Sequence, residues 1–291
     1  GSDGKKIVDF SKNNLNLVGY SKPINTNLNL KEIKKHIFTL KKQPNAIPYV
    51  TSYYKKNWGF CMPYKKYKKL KPGKYQAFID SELKRGSLTY GEILIPGKKK
   101  EEIFLSTNIC HPSLANNEIS GPAVTTYLAK WLLSIKNRKY SYRIVFIPET
   151  IGSIAYLSKN YKYLKKNVVA GFNVVCVGDN RNYSYLPSRD GNTLSDKVAK
   201  YVLNKNKKKY IQYKWLDRGS DERQYCSPGI ELPIASIMRS KYNTYAEYHT
   251  SLDTLKNVVT PAGLKGGYNI LKMALETLEQ NFFLKSNFLG E

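Results

Sequence analysis

Residues 103–135 read IFLSTNICHPSLANNEISGPAVTTYLAKWLLSI, and this stretch decides the fold class. Ile103 to Ile109 is a mostly apolar run of strand length. Ser120-Gly121-Pro122 then opens a helix, with Pro122 in the first turn, where its missing N–H costs nothing. Val124, Tyr127, Leu128, Trp131, Leu132 and Ile135 recur at helical spacing and predict one buried face. The same alternation continues outward. Tyr142 to Ile147 reads as a strand, Ile154 to Leu164 as a helix, and the apolar Val168 to Val177 as a strand buried on both faces. Thr193-x-x-Asp196 caps a helix through Leu203, and Tyr210 to Trp215 reads as a further strand. Thr260-Pro261 opens a last helix with Leu264, Tyr268, Leu271, Leu275, Leu278 and Phe282 on its buried side. Strand–helix alternation predicts an α/β core over residues 98–291, a mixed, mainly parallel sheet covered by helices.

Residues 1–97 read differently, as a small β-rich domain. Tyr75 to Ile79 and Ser87 to Ile95 are strand-like, and Leu30 to Leu40 forms a helix behind an Asn29 cap. Aromatic and basic residues crowd Tyr49 to Tyr67, where Pro48 and Pro63 oppose long helices.

Lysine and arginine exceed aspartate and glutamate enough to give a net charge of +26 in 291 residues. Such an excess suits nucleic acid, an anionic surface or an acidic substrate. The lysines fall in loops and tails (34–35, 65–66, 98–100, 207–209) and make no single face with interleaved aromatics. Solvated loop charge is therefore the expectation, and nucleic acid is not the expected partner. No apolar run reaches the roughly 18–20 residues of a membrane helix, so no membrane partner is expected. The first residues lack the pattern of a signal peptide, and Gly1-Ser2 reads as a cloning remnant. Four cysteines lie far apart without a Cys-x-x-Cys pair, as in a reduced, cytoplasmic protein. A homo-oligomer is compatible with the sequence.

Unusual polar residues collect just beyond the strands, where open α/β sheets gather ligands. Cys110-His111-Pro112-Ser113 follows the first core strand, Pro148-Glu149-Thr150 the second and Gly178-Asp179-Asn180 the third. Glu247 to Thr254 precedes the last helix. Two of the chain's three histidines, His111 and His249, occupy these positions. Each residue also has a structural reading alone: a satisfied histidine, a helix-capping Glu149, a turn-forming Asp179, a capping Asp253. Together they offer two imidazoles and several carboxylates, the donor types that zinc takes.

These residues resemble the zinc aminopeptidase and glutaminyl-cyclase clan. Ile109-Cys110-His111 followed by Ala115-Asn116-Asn117-Glu118-Ile119-Ser120-Gly121 is similar to that clan's histidine strand and its Asp-Asp-Asn-Ala-Ser-Gly stretch. Phe146 to Gly152 resembles its Glu-Glu-x-Gly element, Ser220-Asp221-Glu222 its Ser-Asp-His element, and His249 to Thr254 its terminal histidine motif. More narrowly, Ile47 to Tyr54, Gly86 to Glu92, Cys110 to Ser113 and Gly219 to Tyr225 resemble a bacterial aminopeptidase-like family with a small inserted domain and no assigned substrate. The resemblance implies a three-layer zinc-peptidase-like core. Longer members carry helices before this stretch and a winged-helix segment after it, and neither is expected here.

The resemblance also implies roles. Glu149 is the general base that activates water and later protonates the leaving amine. His111, Glu118, Asp179, Asp221 and His249 are the candidate metal ligands, with Asn117, Arg218, Arg223 and Tyr225 around the substrate. Departures thin the ligand set. Ser113 replaces the aspartate of His-x-Asp, Asn116 and Asn117 replace the paired aspartates, Thr150 replaces the second glutamate, and Val175 replaces the strand aspartate. One zinc rather than two is the expectation. The expected function is amide hydrolysis in a small peptide or an N-acylated small molecule. The alternatives are a ligand-binding homologue that has lost catalysis and, third, a basic nucleic-acid or anion binder.

Overall fold

A computed structural model describes residue 1, residues 3–206 and residues 209–282; Lys207 and Lys208 of the expected lysine cluster, and Ser2, lie outside the described residues. Contacts divide the chain into two units: Gly1–Leu88 with His111–Ile119 and Tyr242–Val259, and Thr89–Cys110 with Ser120–Lys241 and Thr260–Glu291. The division expected near residue 97 therefore falls elsewhere.

The first unit holds β1 (Ile24–Asn29), α1 (Leu30–Ile33), β2 (Ile37–Phe38), β3 (Phe60–Cys61), α2 (Tyr64–Tyr67) and β4 (Lys74–Ile79). β1 pairs antiparallel with β4, and β2 pairs parallel with β3. Asn29 caps α1 as expected, its side chain accepting from Glu32 N–H while Glu32 answers to Asn29 N–H. The helix expected through Leu40 nevertheless stops at Ile33 and passes through a 3-10 turn into β2. Tertiary pairing decides this. His36 stacks on Trp58 with ring centres 3.8 Å apart, and Ile37 and Phe38 join β3. Ile33, Trp58, Tyr75, Ala77 and Ile79 form the small core beneath.

The second unit holds β5 (Gly91–Ile95), β6 (Glu102–Asn108), α3 (Ser120–Ser134), β7 (Ser141–Ile147), α4 (Ile151–Asn167), β8 (Val168–Asn173), β9 (Ser184–Leu186), α5 (Leu194–Lys205), β10 (Ile211–Gln212), α6 (Glu222–Tyr225), β11 (Ile234–Met238) and α7 (Pro261–Glu279). Seven strands make one mixed sheet in the order β10-β9-β11-β8-β6-β7-β5. The central β11, β8, β6 and β7 run parallel, while β5 pairs antiparallel with β7 and β9 antiparallel with β11. One sheet face packs on α3, α5 and α7 through Leu128, Leu132, Val202, Leu271 and Leu275. The other packs on α4 and α6 through Tyr156, Leu164 and Tyr225. This is the three-layer α/β core the sequence predicts.

Several details differ from the expectation. The expected strand Ser87 to Ile95 shortens to β5, whose Ile95 enters the core and whose ladder binds it to β7. Tyr210 to Trp215 yields only the two residues of β10, and Trp215 starts a 3-10 turn. Tyr127 is 66% exposed because Val124, Leu128 and Leu132 already fill the buried stripe of α3. Phe282 lies beyond the end of α7 and is exposed. None of the four cysteines forms a disulfide; Cys110 is exposed and the other three are buried. No helix among the described residues is long and apolar enough to cross a membrane.

Candidate active site

The sequence candidates fall into two groups, one in each unit.

In the first unit, residues 115–119 form a single π turn before α3, with Ile119 N–H reaching Leu114 O at 3.2 Å. Such turns are rare and favour functional sites. This one holds Asn117 and Glu118 buried near His111. His111 Nδ1 lies 2.8 Å from Glu118 Oε1, which also accepts from Asn117 Nδ2 at 2.5 Å. His249 has a positive φ of 53°, uncommon for a residue with a Cβ, and its ring lies 5.0 Å from that of His111. Tyr248 stacks on His249 at 3.9 Å, and Tyr49 sits against both imidazoles at 4.7 and 5.1 Å. A backbone bond from Tyr49 N–H to His249 O, 2.8 Å, ties the segments together.

His249 Nε2 is buried without a hydrogen-bond partner. Burial, and secondarily the His111 charge, push its pKa down to about 3, so the imidazole is neutral near pH 7. A neutral imidazole is the form that binds metal. The backbone N–H groups of Asn116 and Asn117 bond to Asp253 at 2.8 and 3.0 Å. Asp253, expected to cap the segment after it, thus caps the π turn. No local signal announces this.

In the second unit, β7 ends at Ile147 and delivers Glu149 and Thr150 to the start of α4. Thr150 has φ 63° and ψ −70°, and Ile151 N–H reaches back to Glu149 O at 2.8 Å. That is a γ-turn of the rare positive-φ kind. The segment after Gly219 packs around it. Asn108 Nδ2 donates to Ser220 Oγ at 3.3 Å, and Ser220 Oγ donates to Glu149 Oε1 at 2.7 Å. Asp221 Oδ1 accepts from Thr150 N–H at 2.7 Å and from Ser153 Oγ at 2.8 Å. Its Oδ2 is buried without a hydrogen-bond partner. Burial, and then the Glu149 charge, push the Asp221 pKa up to about 8.

Glu222, in place of the clan's histidine, accepts from Gly219 and Ser220 N–H at 2.8 and 2.9 Å and from Asn173 Nδ2 at 2.9 Å. It shapes the loop, a role the sequence did not suggest. The remaining candidates have these contacts. Asp179 ties a loop, accepting from Arg181 N–H and Ser240 Oγ at 2.9 Å and from Ser240 N–H at 2.8 Å. Tyr225 is fully buried with its hydroxyl 2.8 Å from Ser106 Oγ, which makes it a core residue rather than a substrate contact. Arg223 donates to Thr150 Oγ1 at 3.1 Å, while Arg218 packs over Trp215 at 4.8 Å.

Residues 4–281 match a family model described as a domain of unknown function, DUF4910. The chain belongs to the DUF4910 family. A Clostridium acetobutylicum protein named for polysaccharide biosynthesis and an aminopeptidase-like domain is 43% identical over 280 residues. The match covers 96% of this DUF4910 chain but only 64% of that relative. A crystal structure from the same organism, named as a peptidase, superimposes with a TM-score of 0.93 at 42% identity, over 96% of this chain and 65% of that one. A zinc aminopeptidase from Bacillus subtilis gives a TM-score of 0.64 at 14% identity, over 83% of this chain and 63% of that one. A glutaminyl cyclase from an Acidobacteriales bacterium gives 0.53 at 18%, over 66% and 73%. The DUF4910 chain therefore has the aminopeptidase-like fold read from its motifs.

Proposed function

We propose that this DUF4910 protein is a metal-dependent amide hydrolase of the aminopeptidase type, acting in the cytoplasm on a small peptide or an N-acylated small molecule. The observation that carries the reading is the buried, unpartnered Nε2 of a neutral His249 whose ring lies 5.0 Å from that of His111. A buried polar atom without a partner is costly unless a ligand satisfies it. With Glu118 Oε1 at 2.8 Å from His111, the first unit holds nitrogen and oxygen donors of the types that zinc takes. Zinc bound there supplies Lewis-acid chemistry, polarising a carbonyl and acidifying water.

Glu149 takes the proton from the attacking water and returns it to the leaving amine. Asn108 donates to the Ser220 hydroxyl, which directs that hydroxyl's own proton toward Glu149 and holds the carboxylate in place. Asn116 and Asn117 favour a single ion, since amides are weaker ligands than carboxylates.

Metal analysis of the purified chain, as isolated and after zinc incubation, tests the reading. About one tightly held ion per chain is expected, absent from His111→Ala. No bound metal under either condition overturns it. A panel of aminoacyl arylamides and N-acetylated amino sugars then tests hydrolysis. A Glu149→Gln variant that loses turnover but retains metal completes the case. Metal binding with no turnover of any substrate favours the ligand-binding alternative.

A further inference from the structure

The Ser-Asp-Glu-Arg segment, Ser220 to Arg223, resembles an element of the clan's site, yet its side chains are spent on the backbone before α4. Thr150 is β-branched and holds φ 63°, a conformation costing about 1–3 kcal/mol. Such strain persists only where surrounding contacts enforce it. Those contacts converge here. Asp221 Oδ1 takes the Thr150 N–H, Arg223 Nη2 holds Thr150 Oγ1, and Ser153 Oγ bridges Thr150 O and Asp221 Oδ1 at 2.9 and 2.8 Å. Ser220 Oγ holds the neighbouring Glu149 carboxylate itself.

We propose that Ser220, Asp221 and Arg223 form a clamp that enforces the strained Thr150 turn and so fixes the aim of Glu149, with Asp221 a positioning residue rather than a metal ligand. The proposal rests on the reading of Glu149 as the base, but the clamp itself is a statement about backbone energetics. The turn lies directly after Glu149, between the end of β7 and the start of α4, so its geometry sets how Glu149 meets Ser220. Oδ1 of Asp221 accepts the two hydrogen bonds of the clamp, while the buried Oδ2 takes part in neither, so the zinc content of the Asp221 variants separates a positioning role from a ligand role.

Glycine adopts positive φ freely, so Thr150→Gly removes the strain; it gives up the Arg223 bond to Oγ1 but keeps the N–H that Asp221 holds. A stability cycle over wild type, Thr150→Gly, Asp221→Ala and the double variant reads the coupling. Thr150→Gly is expected to raise the melting temperature of the wild type and to give no gain in Asp221→Ala, where the turn has relaxed. A crystal structure of Asp221→Ala is expected to show Thr150 outside positive φ and Glu149 displaced from Ser220. Asp221→Asn, which keeps an acceptor for Thr150 N–H, serves if the alanine variant does not fold; it should retain the turn. An additive cycle, or unchanged Thr150 and Glu149 in Asp221→Ala, overturns the clamp. So does a zinc content that falls in the Asp221 variants as far as in His111→Ala. Where hydrolysis is detected, Ser220→Ala should lower kcat with KM unchanged, and Ser220→Thr should restore it. Failure to find zinc or turnover in the wild type removes the hydrolase reading alone, since the cycle still decides the clamp.

Discussion

Asp253 Oδ1 accepts the backbone N–H of Asn116 at 2.8 Å, across 137 positions of sequence. Its other oxygen accepts Asn117 N–H at 3.0 Å and the Tyr245 hydroxyl at 3.1 Å. Removing the carboxylate takes an acceptor from three buried donors, and each buried donor left unsatisfied costs about 1–3 kcal/mol. Asp253→Ala is therefore expected to lose at least about 2 kcal/mol by denaturant titration, and to weaken zinc retention by loosening the turn that carries Glu118. A variant as stable as wild type and equally metallated would refute this.

The His249 pKa sets a pH signature. It falls from an ordinary 6.5 to about 3, so below pH 6.5 the unfolded state binds more protons than the folded state. The contribution is complete above pH 6.5 and is lost as pH falls toward 3, at up to about 1.4 kcal/mol per pH unit. Metal-free protein should become easier to denature with urea across that window. His249→Gln should flatten the slope, and an equal slope in both proteins would contradict the assignment.

Zinc should stabilise the folded chain by mass action. At a hundred times Kd the gain is about 2.7 kcal/mol. Thermal melting should shift upward with added zinc in wild type and much less in His111→Ala. Equal shifts would place the ion elsewhere.

Two glycines seat α7 against the sheet. A Cβ on Gly263 would lie 2.0 Å from Gly178 O, and one on Gly267 2.2 Å from Val177 O. Both obstacles are backbone atoms that cannot rotate away. Gly263→Ala and Gly267→Ala should each cost about 3 kcal/mol. Gly86→Ala meets nothing within 4 Å and serves as the near-neutral control. Comparable melting temperatures for all three would show the helix to be more loosely seated.

What the sequence makes legible is local or periodic. The Thr193–Asp196 capping box appears as expected, with Thr193 accepting from Asp196 N–H, because a cap is written within four residues. The core strands announce themselves by apolar runs. By contrast, Asn29 marks where α1 starts but not where it ends, since the end is set by Trp58 and β3. Asp253 reads as a local cap because its partners are distant in the chain. Tyr225 follows a motif that resembles a site, yet its spacing turns it inward to Ser106. Resemblance located His111, Glu149 and His249; only coordinates separate loop-shaping carboxylates such as Asp179 and Glu222 from the rest.

The first unit is assembled from three separated stretches, and Ile47 N–H bonds to Ser251 Oγ 204 positions away. A ribosome delivers residues from the N-terminus onward, and domains ordinarily begin folding as they emerge. Here Tyr242–Val259 can join the first unit only after most of the second unit has been synthesised. The histidine pair is thus completed only after most of the second unit has been made. A chain interrupted before residue 249 lacks the second imidazole altogether, so truncated products cannot assemble it.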